Sequence, residues 1–375
     1  MKKRLYGDGI NDDTAAIQEL IDSSKGLVHL PVPKEKYLIS KTLLLHSDLE
    51  LRLEPYTVIQ LMPNSSCLML RCDDCVNVTV RGGIWDMNNM QQEPNPLWIK
   101  TYGKVTHDDY DERYMGCLMR FFKIKNLTLQ GITLRDPVTF GIQMAEIYQF
   151  TVDSITFDYN QGNPVLATMD GVHVEGGCRF GRITNLKGRC YDDLLALNAD
   201  DFHRGDIQDI SVDGIYSDRG HSAVRMLSWG SNIRRISICN VFGTFYQYCI
   251  GITKYYSEEG IGRYDQISLR NIYASKAFRY PDFYTEKSIV YPIIYIQKDL
   301  HIKHLVIREL HRREEETDIP TISIEEGTTV DNLEIFSCSY ESVVGNAPFL
   351  LNKGEIKNLV TENIQLKDCE LVKEE

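Results

Sequence analysis

The chain has 375 residues, of which 43% are apolar and 25% are charged, and its formal net charge is -12. This composition suits a packed core and excludes a disordered or fibrous chain. The negative charge argues against binding to a nucleic-acid backbone through broad electrostatics. The chain is longer than most single domains, although all-β architectures commonly run this long as one unit.

The N-terminal sequence and the cysteines indicate the cellular compartment. The N-terminus passes from Met1 to Gly9 without an apolar run of the secretory type, and no stretch approaches the roughly 20 apolar residues that span a bilayer. The ten cysteines show no metal-type pairing beyond one isolated C-x-x-C at Cys72 and Cys75, so buried free thiols are expected. We predict a cytoplasmic protein, or a secreted one if a leader was removed, that binds no membrane.

The opening segment predicts a single short helix. Asn11, Asp12 or Asp13 can cap it, and apolar residues from Ala16 to Ile21 recur at helical spacing. Gly26 ends the helix, and short extended runs follow it.

An internal repeat organises the rest of the chain. The phrase apolar-x-apolar-x-x-apolar follows a polar turn in each copy, from N-V-T-V-R-G-G to N-L-V-T-E-N-I. The central residues of the copies are Val80, Leu129, Val152, Ile183, Val212, Ile238, Leu269, Ile307, Ile335 and Thr361. Spacings of roughly 23 to 38 residues leave room for two or three strands and for no ten-residue helix. The repeat therefore predicts the stacked coils of a parallel β-helix, capped by the early helix.

The same pattern predicts the domain organisation. We expect one all-β domain over 1–375, with an N-terminal cap and first strands over 1–66 and a polar tail, L-K-D-C-E-L-V-K-E-E, over the last coil. A long interval in the repeat predicts an inserted loop over 85–116 that borders the binding face. Its aromatics either stack on sugar rings or pack the loop down; they are Trp98, Tyr102, Tyr110 and Tyr114.

Ionisable residues stand at corresponding ends of successive strands. They are Asp170, the pair Asp192 and Asp193, His221 and Lys254. Equivalent positions in neighbouring coils are about 4.8 Å apart, so these side chains are expected to converge. Clustered carboxylates raise at least one pKa, which suits a general acid beside a general base and hence hydrolysis of a glycosidic bond by inversion. A calcium site and simple capping of strand starts are the alternatives.

The order of these residues resembles the family 28 glycoside hydrolases, the polygalacturonase group. The family motifs N-T-D, G-D-D, G-H-G and R-I-K correspond here to T-M-D, Y-D-D, G-H-S and I-T-K. The opening Y-G-D-G-I-N-D-D-T is similar to the N-terminal signature of the wider pectate-lyase-like superfamily. The resemblance implies a right-handed parallel β-helix, here of about ten coils, and hydrolysis without a metal or other cofactor.

The resemblance also implies roles for single residues. Asp192 would be the general acid, Asp170 and Asp193 would activate the attacking water, and His221 would hold the geometry of the carboxylates. Candidate substrate-binding residues are His173, Gln143, Asn198, Arg225, Lys254 and Tyr255.

The cations of R-I-K are not intact. The arginine of that motif falls on Gly251, and Lys254 lies one place late, which moves a strand side chain to the other face. An ordinary lysine does not replace a bidentate arginine, so Arg225, Lys254 or Arg263 either substitutes or is structural, and an uncommon substrate is expected.

We therefore predict an inverting glycoside hydrolase that acts on an oligosaccharide, with uronic-acid-containing, pectin-derived chains among the candidates. The alternatives on the same fold are a uronate lyase or epimerase, and a non-catalytic carbohydrate-binding β-helix. An oligosaccharide is the expected partner in each case. The sequence leaves the sugar, the linkage and the oligomeric state open.

Overall fold

The computed structural model describes residues 4–97, 115–164, 166–254, 260–277 and 291–375. The chain divides into two compact units. The described part of the first unit is 4–97, 115–164, 166–173 and 190–192, and that of the second is 174–189, 193–254, 260–277 and 291–375. Nearly all regular structure is parallel β-strand, which confirms the predicted all-β, right-handed parallel β-helix with one helix near the N-terminus.

The first unit contains short strands and the helix. In chain order they are α1 (Thr14–Ser23), β1 (Leu27–His29), β2 (Tyr37–Ile39), β3 (Leu43–Leu44), β4 (Leu49–Arg52), β5 (Val58–Leu61), β6 (Leu70–Asp73), β7 (Val76–Arg81), β8 (Ile84–Asp86), a 3-10 turn (Asn89–Gln91), β9 (Met119–Phe122), β10 (Lys125–Gln130), β11 (Thr133–Arg135), β12 (Ile142–Ala145), β13 (Tyr148–Asp153) and β14 (Thr156–Asp158). The next strand, β15 (Val172–Glu175), has residues in both units.

These short strands stack in three parallel columns, and each coil contributes one strand to each column. The columns are β1–β4–β7–β10–β13, β2–β5–β8–β11–β14 and β3–β6–β9–β12. Strand β8 lies inside the predicted loop 85–116, and its Trp85 is fully buried. The rest of that loop over 98–114, with its four aromatics, lies outside the described residues, so its place at the cleft stays a prediction.

The second unit contains longer strands. In chain order they are β16 (Arg179–Arg189), β17 (Asp193–Asn198), β18 (Ile207–Gly220), β19 (Ser222–Leu227), β20 (Asn232–Phe245), β21 (Ile250–Thr253), β22 (Gly262–Lys276), β23 (Ile294–Ile296), β24 (Leu300–Glu314), β25 (Ile322–Ile324), β26 (Thr329–Phe336), β27 (Ser339–Ser342), β28 (Leu350–Asn352), β29 (Glu355–Ile356), β30 (Leu359–Glu362), β31 (Gln365–Lys367) and β32 (Val372–Glu374).

Two kinds of parallel column form in this unit. The long strands pair in the order β16–β18–β20–β22–β24–β26, and the short ones in the order β17–β19–β21–β23–β25–β28–β32. The prediction of a polar C-terminal tail is wrong, because β31 pairs with β27 and β32 pairs with β28. Backbone hydrogen bonding to the preceding coil orders these polar residues without much side-chain burial.

The repeated phrase corresponds to one turn of each coil. In the first unit Val80 and Val152 both pair with Leu129, and in the second the central residues from Ile183 to Thr361 pair in unbroken succession. Two residues after every central residue the backbone has a positive φ, between 53° and 89°; these residues are Gly82, Gly131, Ser154, Asn185, Gly214, Asn240, Asn271, Glu309, Ser337 and Asn363. The left-handed conformation turns the chain from one face of the coil to the next, and glycine and asparagine adopt it most readily.

The side chain of Asp13, at the start of the helix, binds the preceding segment of the chain rather than the helix itself. Asp13 is the N-cap residue of α1, yet its side chain makes no capping hydrogen bond. Its fully buried carboxylate instead accepts hydrogen bonds from the backbone N–H groups of Tyr6, at 2.5 Å, and Gly7, at 3.2 Å. Asp12 accepts the N–H of Thr14 at 2.8 Å in its place. The acidic opening motif therefore fastens the start of the chain to the helix.

The remaining expectations about the chain concern thiols and membranes. All ten cysteines lie among the described residues and are free thiols, as predicted. No helix in the described part of the chain has the length and apolar character needed to cross a membrane.

Candidate active site

Asp170 and His173 form a buried pair in the first unit. The imidazole Nδ1 lies 2.6 Å from Asp170 Oδ2, and both side chains are 1% exposed. The His173 ring stacks on Phe140, with the ring centroids 4.0 Å apart and the planes inclined by 12°. The three-residue spacing lets the turn before β15 bring Asp170 back onto the first outward-facing residue of that strand. A carboxylate whose orientation is set by an imidazole suits proton transfer.

A glycine and a tyrosine hold the backbone at Asp170. The Gly141 N–H and the Tyr159 hydroxyl both donate to the Asp170 carbonyl oxygen, at 2.8 and 3.1 Å. A Cβ atom at Gly141 would lie 2.2 Å from the Tyr159 hydroxyl oxygen, so a larger residue would displace it. Burial raises the pKa of Tyr159 well above its ordinary value of 10, which keeps the hydroxyl a donor.

Two further predicted residues belong to the first unit. Gln143, on β12, is 1% exposed and pairs in register with Arg120 of β9. Asp192 is 8% exposed, and its carbonyl oxygen accepts a hydrogen bond from the Cys190 thiol at 3.6 Å. The peptide bond joins Asp192 to Asp193, the first residue of β17.

Asp193 is bound by two side chains of β19 in the second unit. Arg225 Nε lies 2.6 Å from Asp193 Oδ2, and Ser222 Oγ donates to Asp193 Oδ1. Register explains the arrangement, because Asp193 pairs with Ser222 and Ala196 pairs with Arg225. The Arg225 guanidinium therefore neutralises a carboxylate that is fully buried. Its predicted role as a substrate contact stays a prediction, to which this ion pair adds a structural role.

His221 stands at the head of the same strand. It is 3% exposed, its Nδ1 lies 3.4 Å from Ser222 Oγ, and its ring meets the Tyr246 ring edge-on at 5.2 Å. Asn198, at the other end of β17, donates from Nδ2 to Asp201 at 3.1 Å. The Asn198 Oδ1 is buried, and none of the described residues donates a hydrogen bond to it.

The position of the missing family arginine is filled by a tyrosine ring. A Cβ atom at Gly251 would lie 2.5 Å from the ring of Tyr248, which is fully buried and stacks on Tyr295. Lys254, just after β21, is 4% exposed, and its Nζ lies 3.4 Å from Asp299 Oδ2. The tyrosine explains why no side chain projects from residue 251, and Lys254 has a carboxylate partner of its own.

The predicted residues thus fall into two groups. Asp170, His173, Gln143 and Asp192 belong to the first unit, while Asp193, His221, Arg225, Asn198 and Lys254 belong to the second. Tyr255 lies outside the described residues. The catalytic and binding roles of all of them stay predictions.

Sequence reasoning missed four residues in these groups. Phe140 and Tyr159 support Asp170, Ser222 binds Asp193, and Arg120 lies beside Gln143. Only Arg120 had a signal, as the single charged residue within the apolar run C-L-M-R-F-F.

No family model matches the sequence, and none of the curated proteins matches it. Solved structures do match over nearly the whole chain. A family 28 exopolygalacturonase from Yersinia enterocolitica is 14% identical with a TM-score of 0.60, over 98% of this chain and 76% of that one. The A-module of the Azotobacter vinelandii mannuronan C-5 epimerase AlgE6 is 12% identical with a TM-score of 0.60, over 98% and 97%. The Streptococcus pneumoniae surface adhesin PfbA is 16% identical with a TM-score of 0.58, over 98% and 91%. At these identities the likeness shows the fold, a right-handed parallel β-helix.

Proposed function

We propose that the protein is an inverting glycoside hydrolase that acts on an oligosaccharide. The observation that supports this proposal is that buried carboxylates have partners of different kinds. Asp170 is oriented by the His173 imidazole, whereas Asp193 is neutralised by the Arg225 guanidinium. Both partners orient a carboxylate, which suits it to accept a proton from an attacking water.

The proposed reaction uses three carboxyl groups and a water molecule. Protonated Asp192 gives its proton to the glycosidic oxygen as the bond from that oxygen to the anomeric carbon breaks. Water attacks the anomeric carbon from the opposite face, and Asp170 or Asp193 accepts its proton. The product is a hemiacetal of inverted configuration. His221 lies beside Ser222, which binds Asp193, and so helps to hold Asp193 in position.

The matched structures support a carbohydrate substrate through their names, which include an exopolygalacturonase and a mannuronan epimerase module. The proposal includes a cytoplasmic location, where short imported oligosaccharides are the expected substrates. Removal of sugar units from the end of a short chain (exo-action) fits both the exopolygalacturonase match and this location.

Incubation of the pure protein with pectic and neutral oligosaccharides tests the proposal. New reducing ends of inverted configuration, followed by proton NMR, are expected for at least one chain. Asp192→Asn should lower kcat by about 10²- to 10⁴-fold, because it removes the general acid. Asp209→Asn, at a partly exposed carboxylate that pairs with Arg235, is the matched control and should keep full activity. Undiminished hydrolysis by Asp192→Asn would exclude the assigned acid.

The His173 imidazole next to Asp170 also suits abstraction of a proton from carbon, which makes a uronate lyase or epimerase the second candidate. A lyase would release an unsaturated product that absorbs in the ultraviolet, and an epimerase would change the sugar without new reducing ends. Binding of an oligosaccharide with no product of any kind would instead indicate a non-catalytic carbohydrate-binding protein.

A further inference from the structure

Arg120 is a buried cation whose charge is not compensated by the described residues. Its side chain is 4% exposed, and its Nη1 is buried without a hydrogen-bond partner. The Phe122 ring lies 5.7 Å from the guanidinium carbon, but no carboxylate in the described part of the chain lies within ion-pair distance. A buried charge is unfavourable unless an opposite charge or hydrogen bonds compensate it.

The neighbouring arginine shows what a structural arginine looks like here. Arg71 of β6 pairs in register with Arg120 of β9. Arg71 is more exposed, and its Nε forms an ion pair with Asp73 two residues along the same strand. The residue at the corresponding position after Arg120 is Phe122, so the strand offers Arg120 a ring where Arg71 has a carboxylate.

Arg120 lies in one row with Gln143. The two residues pair directly across β9 and β12. Each has apolar, buried residues on both sides in its own strand. Because strand side chains alternate between faces, Arg120 and Gln143 point to the same outer face of the sheet.

The row continues to His173. The Met119 N–H donates to the Gly141 carbonyl, and the Ile142 N–H donates to the Gly171 carbonyl. The first bond accompanies the pairing of Met119 with Ile142, so the second, with the same offset, places His173 beside Gln143. Two strand spacings of about 4.8 Å then separate Arg120 from His173.

We propose that Arg120 and Gln143 form a subsite for an anionic group on the sugar chain, either a carboxylate or a sulfate ester. The inference rests on the proposed function and specifies its substrate. The guanidinium offers a fork of donors that matches two oxygens of an acid, and the Gln143 amide adds another donor. An oligosaccharide whose reacting unit lies at Asp170 presents a neighbouring unit to this subsite. The subsite supplies the anion recognition that Gly251, in place of the R-I-K arginine, does not.

Binding of matched sugars tests the subsite. Calorimetry would compare trigalacturonic acid, its methyl ester and a sulfated neutral trisaccharide, using the full chain and the Asp192→Asn variant to prevent turnover. The acid or the sulfated sugar should bind in preference to the ester, and which of the two binds identifies the anion. Arg120→Met should weaken binding of the anionic sugar roughly ten- to hundredfold and leave binding of the ester unchanged. Arg71→Met, one coil away, is the matched control and should keep the preference.

A second variant covers the case in which Arg120→Met does not fold. Gln143→Glu keeps the size of the side chain and should repel the anionic sugar while binding the ester as before. Equal binding of anionic and esterified sugars, or a preference that survives both substitutions, overturns the inference. Hydrolysis of an anionic sugar that is unaffected by Arg120→Met would leave the proposed function standing and refute this subsite. Anion binding that depends on Arg120, without hydrolysis, would do the reverse.

Discussion

The Asp193 carboxylate is fully buried, and the Arg225 guanidinium from the next strand of its column compensates its charge. Ser222, the residue directly opposite Asp193 in the sheet, donates a hydrogen bond to the same carboxylate. At the scale of single residues, the same carboxylate is therefore both a proposed participant in chemistry and a group on which folding depends. Removal of the cation would leave a negative charge in an apolar environment, which is more unfavourable than removal of the pair.

Arg225→Met is expected to destabilise the protein by about 3–5 kcal/mol, because it leaves Asp193 buried without its partner. The matched control is Arg235→Met, which breaks an Arg–Asp pair of similar geometry in which the arginine is 42% exposed. That substitution should change stability by less than about 1 kcal/mol. Denaturant unfolding of the three proteins measures both values, and equal losses would contradict the assigned role of Arg225.

Sequence reasoning identified Asp193 and Arg225 as members of one neighbourhood but not as partners of each other. Their pairing depends on which residues of β17 and β19 lie opposite, and a shift of one residue would have turned Arg225 to the other face. The same limit applies to Arg120. Its strand was predicted, but tertiary packing decides that no carboxylate among the described residues lies within ion-pair distance of its side chain.

At the scale of one coil, the decisive element is the two-residue turn after each central repeat residue. Seven of its ten positive-φ residues are glycine or asparagine, for which the left-handed conformation is accessible at low energy. Glu309, with φ of 55°, is the least suited of the others. Its side chain is half exposed and lies 3.9 Å from Arg270, a contact that adds little. This turn carries strain that the neighbouring coils maintain.

Glu309→Gly should stabilise the protein by about 0.5–1 kcal/mol, since relief of the left-handed strain outweighs the entropy that glycine loses on folding. Glu309→Ala removes the same contact with Arg270 but keeps the Cβ atom, so it should bring no gain. Thermal unfolding of both variants gives the comparison. Equal stability of the glycine and alanine variants would show that the turn is not strained.

The coil repeat was predictable because apolar residues in register must face the core, and the central residues from Val80 to Ile335 do so. The number of strands in each coil was harder to predict from the sequence than the repeat itself. In the second unit single strands such as β18, β20 and β22 run through the turn, and no residue pattern distinguishes a bent strand from two short ones. The last strands, β31 and β32, were mistaken for a tail because most of their residues are polar, and backbone pairing leaves no trace in side-chain polarity.

At the scale of the whole molecule, acid sensitivity is the property most open to measurement, and the second unit contains a buried group that contributes to it. Arg312 Nη2 lies 2.7 Å from Glu314 Oε2, and both side chains are fully buried. Lys276 and Glu316 donate backbone N–H groups to the same carboxylate, at 3.2 and 2.9 Å. Burial alone would raise the pKa of Glu314, but Arg312 and the backbone N–H groups of Glu316 and Thr317 outweigh it and lower the pKa below its ordinary value of 4.5.

A lowered pKa in the folded state means that Glu314 contributes stability above the unfolded value of about 4.5 and loses that contribution as the pH falls through the folded pKa. Glu314→Gln should therefore lower stability at neutral pH by about 3–5 kcal/mol, with Arg312 left buried and unpaired. The difference from the unsubstituted protein should shrink on acidification below pH 4.5. Glu341→Gln, at an exposed pair with Lys367, is the control and should change little at any pH. Urea unfolding at several pH values measures the difference in stability between the two proteins. A difference that stays constant with pH would contradict the prediction.

The positive-φ turn has a consequence for how such a chain can change in length. In the second unit every coil begins and ends at the same conformation, so residues 241–271 could be copied or excised as a block, and Ile238 would still face an equivalent residue in the next layer. Loss or gain of a single residue within the block would instead turn core side chains outward. The protein is thus built so that whole coils are the unit of duplication, and the length of its stacked sheets can change in evolution without redesign of the fold.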